Sequence, residues 1–268
     1  MQPVAPRHPD ASVKRAASFI LLTIYALITF GCGNSSPNSM LTGPASAQVR
    51  VVQGGVNGGI VDVLVNGAKA QTRANPLATP PYFGVTGSSI HVEEVSSGTT
   101  GPAILDATYP VAASSFNTVM TVGDEAKGTL AALALVDDHT APPTGQIKLR
   151  IVNGASTIGA VDLYVNNVGD VFPSAPTVAG LTFKSSSAYL PLSASNYRIC
   201  MMPAGTSPSF AFIGTGTPNC SLNLTVDIGS GYRNFTFAIF DPPPPPTGGS
   251  PGQFVVGIPF TVLMDLQQ

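Results

Sequence analysis

Residues 160–166 read AVDLYVN, and residues 60–66 read IVDVLVN. In an extended chain successive side chains point to opposite faces. Val161, Leu163 and Val165 therefore share one face, and Asp162, Tyr164 and Asn166 share the other. The earlier stretch repeats this, with Val61, Val63 and Val65 set against Asp62, Leu64 and Asn66. Both stretches read as strands with one apolar side, and both aspartates fall on the side away from the core. The same parity turns Arg50 and Arg150 outward, between Val49 and Val51 and between Leu149 and Ile151. The expectation is an Arg–Asp pair across neighbouring strands on the solvent face, worth about 0.2–1 kcal/mol.

The two stretches belong to a longer repeat. VRVVQGGVNGGIVDVLVNG at 49–67 aligns without a gap on LRIVNGASTIGAVDLYVNN at 149–167, with eight of nineteen columns identical. Further on, Tyr82 pairs with Tyr189, Val92 with Ile199, and Leu135-Val136-Asp137 with Leu263-Met264-Asp265. The chain thus carries two copies of one unit. The second is lengthened by Gly/Pro-rich insertions at 207–219 and 242–252, which belong in surface loops. With no Trp, 10% charged residues, 28 Gly and 25 Pro, the composition points to an all-β chain with many turns. Alternation predicts strands at 49–53, 60–66, 90–95, 118–122 and 130–136, and at 149–153, 160–166, 197–202, 235–240 and 254–264. The fold expected is two tandem immunoglobulin-like β-sandwich domains after a signal peptide and flexible tether.

The N-terminus supplies an address. MQPVAPRHPDASVKR ends in Lys14 and Arg15 and is followed by the uncharged AASFILLTIYALITF, the n-region and h-region of a secretory signal. A retained helix anchor is second to this, because a span needs about twenty apolar residues. The junction Ile28-Thr29-Phe30-Gly31-Cys32 resembles a bacterial lipobox, whose cysteine is lipidated and becomes the new N-terminus; Thr29 and Phe30 depart from the usual residues. An ordinary signal peptide is the alternative. The expected boundaries are a signal peptide at 1–31, lipidated Cys32 and a tether at 32–47, a first repeat at 48–137, a linker at 138–146 and a second repeat at 147–268. The tether reaches roughly 20 Å as a flexible coil. The expected location is the bacterial cell envelope, as a membrane-anchored lipoprotein that is periplasmic or surface-exposed. Beyond residue 31 there are nine Lys and Arg against thirteen Asp and Glu, so the cationic footprint of a nucleic-acid binder is missing.

The repeat resembles the bacterial domain of unknown function 4397, whose members read VRVVHASPDAPAVDVYVNG. The flanks match as QVRVV…VDVLVNG and KLRIV…VDLYVNN, with the spacing between them kept, and ALALVDDHTAPPTG at 132–145 is similar to the junction between tandem copies. In place of HASPDAP this chain has QGGVNGG at 53–59 and NGASTIG at 153–159, so neither copy keeps the family's His, Asp or Pro residues there. The resemblance implies secreted or surface-attached β-sandwich modules and carries no established reaction.

Catalytic chemistry finds little foothold. His91 and Glu93 share one strand face as half of a metal site, without a visible third ligand, so a solvated outer face is the preferred reading and no metal or cofactor is assigned. Asp137-Asp138-His139 is a denser cluster on a turn-rich connection, where a cation between the domains is the minor alternative. Nucleophile elbows, phosphate-cradling glycine loops and paired Cys-x-x-Cys motifs are absent, so no catalytic residue is named and the chain is read as a non-enzyme. Cys200 and Cys220 form an even pair in an exported chain and are expected to be bridged, with two free thiols the alternative. The run DPPPPPTGGSPG at 241–252 reads as an elongated hairpin loop rather than a docking peptide. The function expected is a module that binds or spaces an envelope or extracellular component. Its partners would be the membrane through the N-terminal lipid and a protein or polysaccharide ligand, with no nucleic acid. A purely structural envelope role is the runner-up and a hydrolase the third reading. Tyr164 and Tyr189 are the aromatic candidates for an exposed binding patch.

Overall fold

The computed structural model describes residues 46–208, 219–226, 232–242 and 260–266. The signal, Cys32 and the tether up to residue 45 lie outside these residues, as do most of the 207–219 excursion and of the proline run. The first copy contributes eight strands: β1 (Ala47–Gln53), β2 (Val61–Val65), β3 (Ala68–Gln71), β4 (Phe83–Val85), β5 (Ser89–Ser96), β6 (Leu105–Pro110), β7 (Phe116–Val122) and β8 (Ala131–Asp137). They form two sheets, ordered β4-β1-β7-β8 and β3-β2-β5-β6. The second copy supplies β9 (Gln146–Gly154), β10 (Val161–Asn167), β11 (Val178–Leu181), β12 (Ser185–Ser186), β13 (Leu190–Ser193), β14 (Ser195–Pro203), β15 (Asn219–Val226), β16 (Tyr232–Phe240) and β17 (Phe260–Leu266). Its sheets run β12-β9-β16-β17, with β13 also on β9, and β11-β10-β14-β15. Strand for strand this is the first arrangement again, down to the parallel pairing of β1 with β7 and of β9 with β16.

The protein is all-β, and each copy is a sandwich. Its winding, however, is not the immunoglobulin one. There the first two strands are neighbours in one sheet; here β1 and β2 lie in different sheets and β1 is a central strand. Alternation fixes which face of a strand is apolar, but strand order depends on pairings distant in sequence. Strands β3, β4, β6, β11, β12, β13 and β15 went unpredicted, several of them because they are short. Pieces such as AKAQ and FGV are too brief to show a period. One hairpin is local in origin: Asn66 and Gly67 both take positive φ (51° and 74°), the two-residue turn that an Asn-Gly pair favours between strands.

Two cores follow the predicted parity. Val61, Val63 and Val65 pack with Val49, Val51, Ile90, Val92 and Val119 in the first sandwich. Val161 and Leu163 pack with Leu149, Ile151, Ile199 and Ile239 in the second, with Val165 half-buried at its margin. A third apolar cluster was not anticipated. Val52, Met120, Val122 and Leu135 of the β1 sheet meet Val152, Ala238 and Phe240 of the β9 sheet. The supposed solvent faces of β1 and β9 thus bury one another. Gly54 lies under Phe240, whose ring would come within 2.0 Å of an added Cβ, and Gly154 would meet Val122 at 2.7 Å. These two glycines, identical in the repeat, permit the close approach of the halves. The amide of Gly123 donates across the contact to the carbonyl of Gly154 at 3.1 Å.

Candidate functional site

The predicted Arg–Asp pairs on a solvent face do not form. Arg50 and Arg150 are 2% and 4% exposed, Asp62 and Asp162 3% and 5%. The strand parity is right, but the outer faces are covered: the arginines by the opposing sheet, the aspartates by loops. Asp62 accepts from Lys69 Nζ at 2.6 Å and from the Arg73 amide at 2.8 Å. The Lys69 bond first, then the Arg73 amide, hold its carboxyl down at about 2. Asp162 accepts from the amides of Gly180 and Gly205, both at 2.7 Å. Each aspartate therefore fastens loops to the back of its sheet.

Both arginines converge instead on Asp137, at the end of β8. Asp137 accepts from Arg150 Nη2 at 2.5 Å, Thr118 Oγ1 at 2.5 Å and Tyr82 OH at 2.8 Å, while Arg50 Nη2 stands at 3.9 Å. Each guanidinium also donates to a threonine beside it in the parallel strand pair, Arg50 to Thr118 and Arg150 to Thr236. Each lies over a tyrosine, Tyr82 at 4.4 Å and Tyr189 at 4.9 Å. One buried carboxylate thus serves two buried cations from different copies. Removing a partner from such a buried set costs more than an exposed pair ever contributes.

The Asp137-Asp138-His139 cluster is dispersed by this arrangement. Asp138 accepts from Lys148 Nζ at 2.5 Å and from Thr140, and His139 stacks on Phe116 with ring centroids 3.7 Å apart. Arg50, Arg150 and Lys148 supply positive charge to these carboxylates. The aromatic candidates are also spoken for. Tyr164 is 2% exposed and packs with Cys200 and Met202, its hydroxyl donating to the Thr206 carbonyl, and Tyr189 is half-buried beside Arg150.

The loops that replace HASPDAP are structural as well. Asp241 accepts from the amides and hydroxyls of Ser156 and Thr157. In the first copy Asp124 accepts from Asn57 Nδ2 at 2.6 Å. Thr129 of the first copy donates to Ser156 of the second at 2.9 Å, so both loops lie along the contact between the halves.

Open surface remains on the first sandwich. A groove of about 510 Å³ runs between the edge strands β3 and β4, lined by Val65, Lys69, Pro80, Pro81 and Phe83 among others. On the outer face of β5, His91 and Glu93 do lie side by side, as alternation predicted. Asp106 of β6 joins them, because the register sets it directly opposite Glu93. His91 Nε2 is 2.7 Å from Asp106 Oδ1, and Nδ1 is 3.7 Å from Glu93 Oε2. The hydrogen bond to Asp106 raises the His91 pKa above its ordinary value against a smaller opposing effect of desolvation. The third group was invisible in sequence because it comes from a different strand.

Glu94 was missed altogether, although the pattern held the clue. It is in phase with Ile90 and Val92 and so points inward, where it is 0% exposed and neither carboxyl oxygen has a hydrogen-bond partner. Burial pushes its pKa up to about 7. Val63 faces Glu94 in the first copy as Leu163 faces Met201 in the second, so the repeat carries methionine at this position.

Fold and site together define an all-β protein of two repeated sandwiches joined through a buried polar and apolar contact. Residues 47–164 match the family described as Domain of unknown function (DUF4397), from β1 through the first sandwich and into β10. No curated protein matches the chain.

Proposed function

We propose that this is an exported, lipid-anchored, non-enzymatic protein of the bacterial cell envelope, built from two tandem copies of the DUF4397 unit. In this reading it presents a binding surface tethered to the membrane. The observation that carries the reading is the contact between the copies. With Val52, Met120, Val152 and Phe240 in one cluster and Asp137 shared by Arg50 and Arg150, the sandwiches act as one stiff piece rather than two beads on a linker. A stiff piece suits a spacer that presents a surface. The groove between β3 and β4 is the surface that fits an extended protein or polysaccharide segment, since it combines apolar walls with exposed strand edges.

Two experiments test this. Labelled palmitate should enter the wild-type chain and not a Cys32→Ala variant; equal labelling of both removes the lipid anchor. Pull-downs from envelope fractions and with purified glycans should retain a ligand that Pro81→Glu and Ala70→Glu in the groove release. Retention by both variants moves the binding surface elsewhere.

The second copy carries a further expectation, a Cys200–Cys220 bridge. Supporting it, β14 pairs with β15 and their register shifts between Ile199/Leu222 and Met201/Asn219, which brings Cys200 beside the Cys220–Ser221 step. Cys200 is also buried, away from solvent. Alkylation of the unreduced protein followed by mass spectrometry should leave both residues unmodified; mass gain at both means two thiols.

A further inference from the structure

We propose that His91, Glu93 and Asp106 form a binding site for a divalent transition-metal ion of the zinc class. The three side chains project from adjacent strands on the outer face of the first sandwich, and one ligand atom from each lies within 4.8 Å of the others. Zinc–ligand bonds of 2.0–2.2 Å at tetrahedral angles place ligand atoms about 3.4 Å apart. A separation at that limit must therefore close by about 1.4 Å. Glu93, with its side chain 26% exposed, can do so by rotation of its long side chain while both strands stay fixed. The strands are held by the β2-β5-β6 ladder and by the His91 amide, which donates to Asn66 Oδ1 at 2.9 Å.

Charge points the same way. Among the described residues neither Glu93 nor Asp106 pairs with a lysine or arginine; their ion pairs are with His91 alone. With the imidazole neutral, the cluster carries two negative charges and no compensating cation. One imidazole and two carboxylates suit zinc and its neighbours, and exposure leaves room for water as a further ligand. Binding would use His91 Nε2. Where the neutral ring carries its proton on Nε2 toward Asp106, that N–H bond breaks, its proton goes to solvent and Nδ1 takes one up, so the ring stays neutral and the Nε2 lone pair goes to the metal; where both nitrogens are protonated, the Nε2 proton alone goes to solvent. The second copy has Arg198 and Cys200 at the positions of His91 and Glu93, with Arg198 lying 3.8 Å from the Phe172 ring centroid, so among the described residues this cluster belongs to the first copy.

The test is calorimetric titration of the full chain with zinc chloride at neutral pH, with far-UV circular dichroism confirming that every variant is folded. One zinc ion should bind the wild-type chain, and His91 ring resonances should shift on addition. His91→Ala and the exposed Asp106→Asn should each weaken binding at least tenfold, and His139→Gln should leave it unchanged. No binding by the wild-type chain, or binding that survives both His91→Ala and Asp106→Asn, overturns the proposal.

Discussion

Replacing Glu94 by methionine, the residue of the second copy at this register, should remove a pH dependence that the wild-type protein carries in its first core. The carboxyl has an ordinary pKa of 4.5 and one of about 7 in the folded protein. Below 4.5 folded and unfolded chains both hold the proton, and the group has no pH-dependent effect. As the pH rises from 4.5 towards 7 the unfolded chain releases its proton first, so the unfolded state gains and stability falls. At 1.36 kcal/mol per unit, the displacement of about 2.5 units amounts to about 3 kcal/mol lost by pH 8. The assay is urea unfolding of residues 46–268, wild type and Glu94→Met, at steps between pH 4.5 and 8. The difference in stability between the two proteins should widen by about 3 kcal/mol across that window. His91, whose raised pKa makes its contribution fade as pH increases through that value, is present in both and cancels. The Asp62 effect is lost only as the pH falls from 3.8 towards 2, outside the window. A constant difference from pH 4.5 to 8 would refute the reasoning, because it would mean Glu94 titrates alike in both states.

Other substitutions probe the contact between the copies. Asp137→Asn leaves two buried guanidinium groups without their shared counter-charge. It should cost about 3–5 kcal/mol, seen in calorimetry as a fall in Tm of about 6 °C or more. Gly54→Ala sets a methyl group into the Phe240 ring and should cost about 1–3 kcal/mol in urea unfolding, with part of the loss recovered when Phe240→Leu is added.

The sequence by itself determined the all-β class, the repeat and the inward residues of β1, β2, β9 and β10, because side-chain alternation is local and two copies reported it twice. It also contained Glu94 in phase with Ile90 and Val92, so that an inward carboxylate was legible beside the outward His91 and Glu93. What covers the other face of a strand is a different matter. Arg50 reads as solvent-facing in its own strand and is buried because a second sheet closes over it. Asp62 and Asp162 are outward from their cores and are buried because loops fold back onto them. The strand order β4-β1-β7-β8 and the approach of Asp106 to His91 likewise depend on pairings between distant segments. Alternation along one strand carries no information about those partners; only the packed chain, in which hydrogen-bond ladders and buried surfaces are satisfied together, selects them.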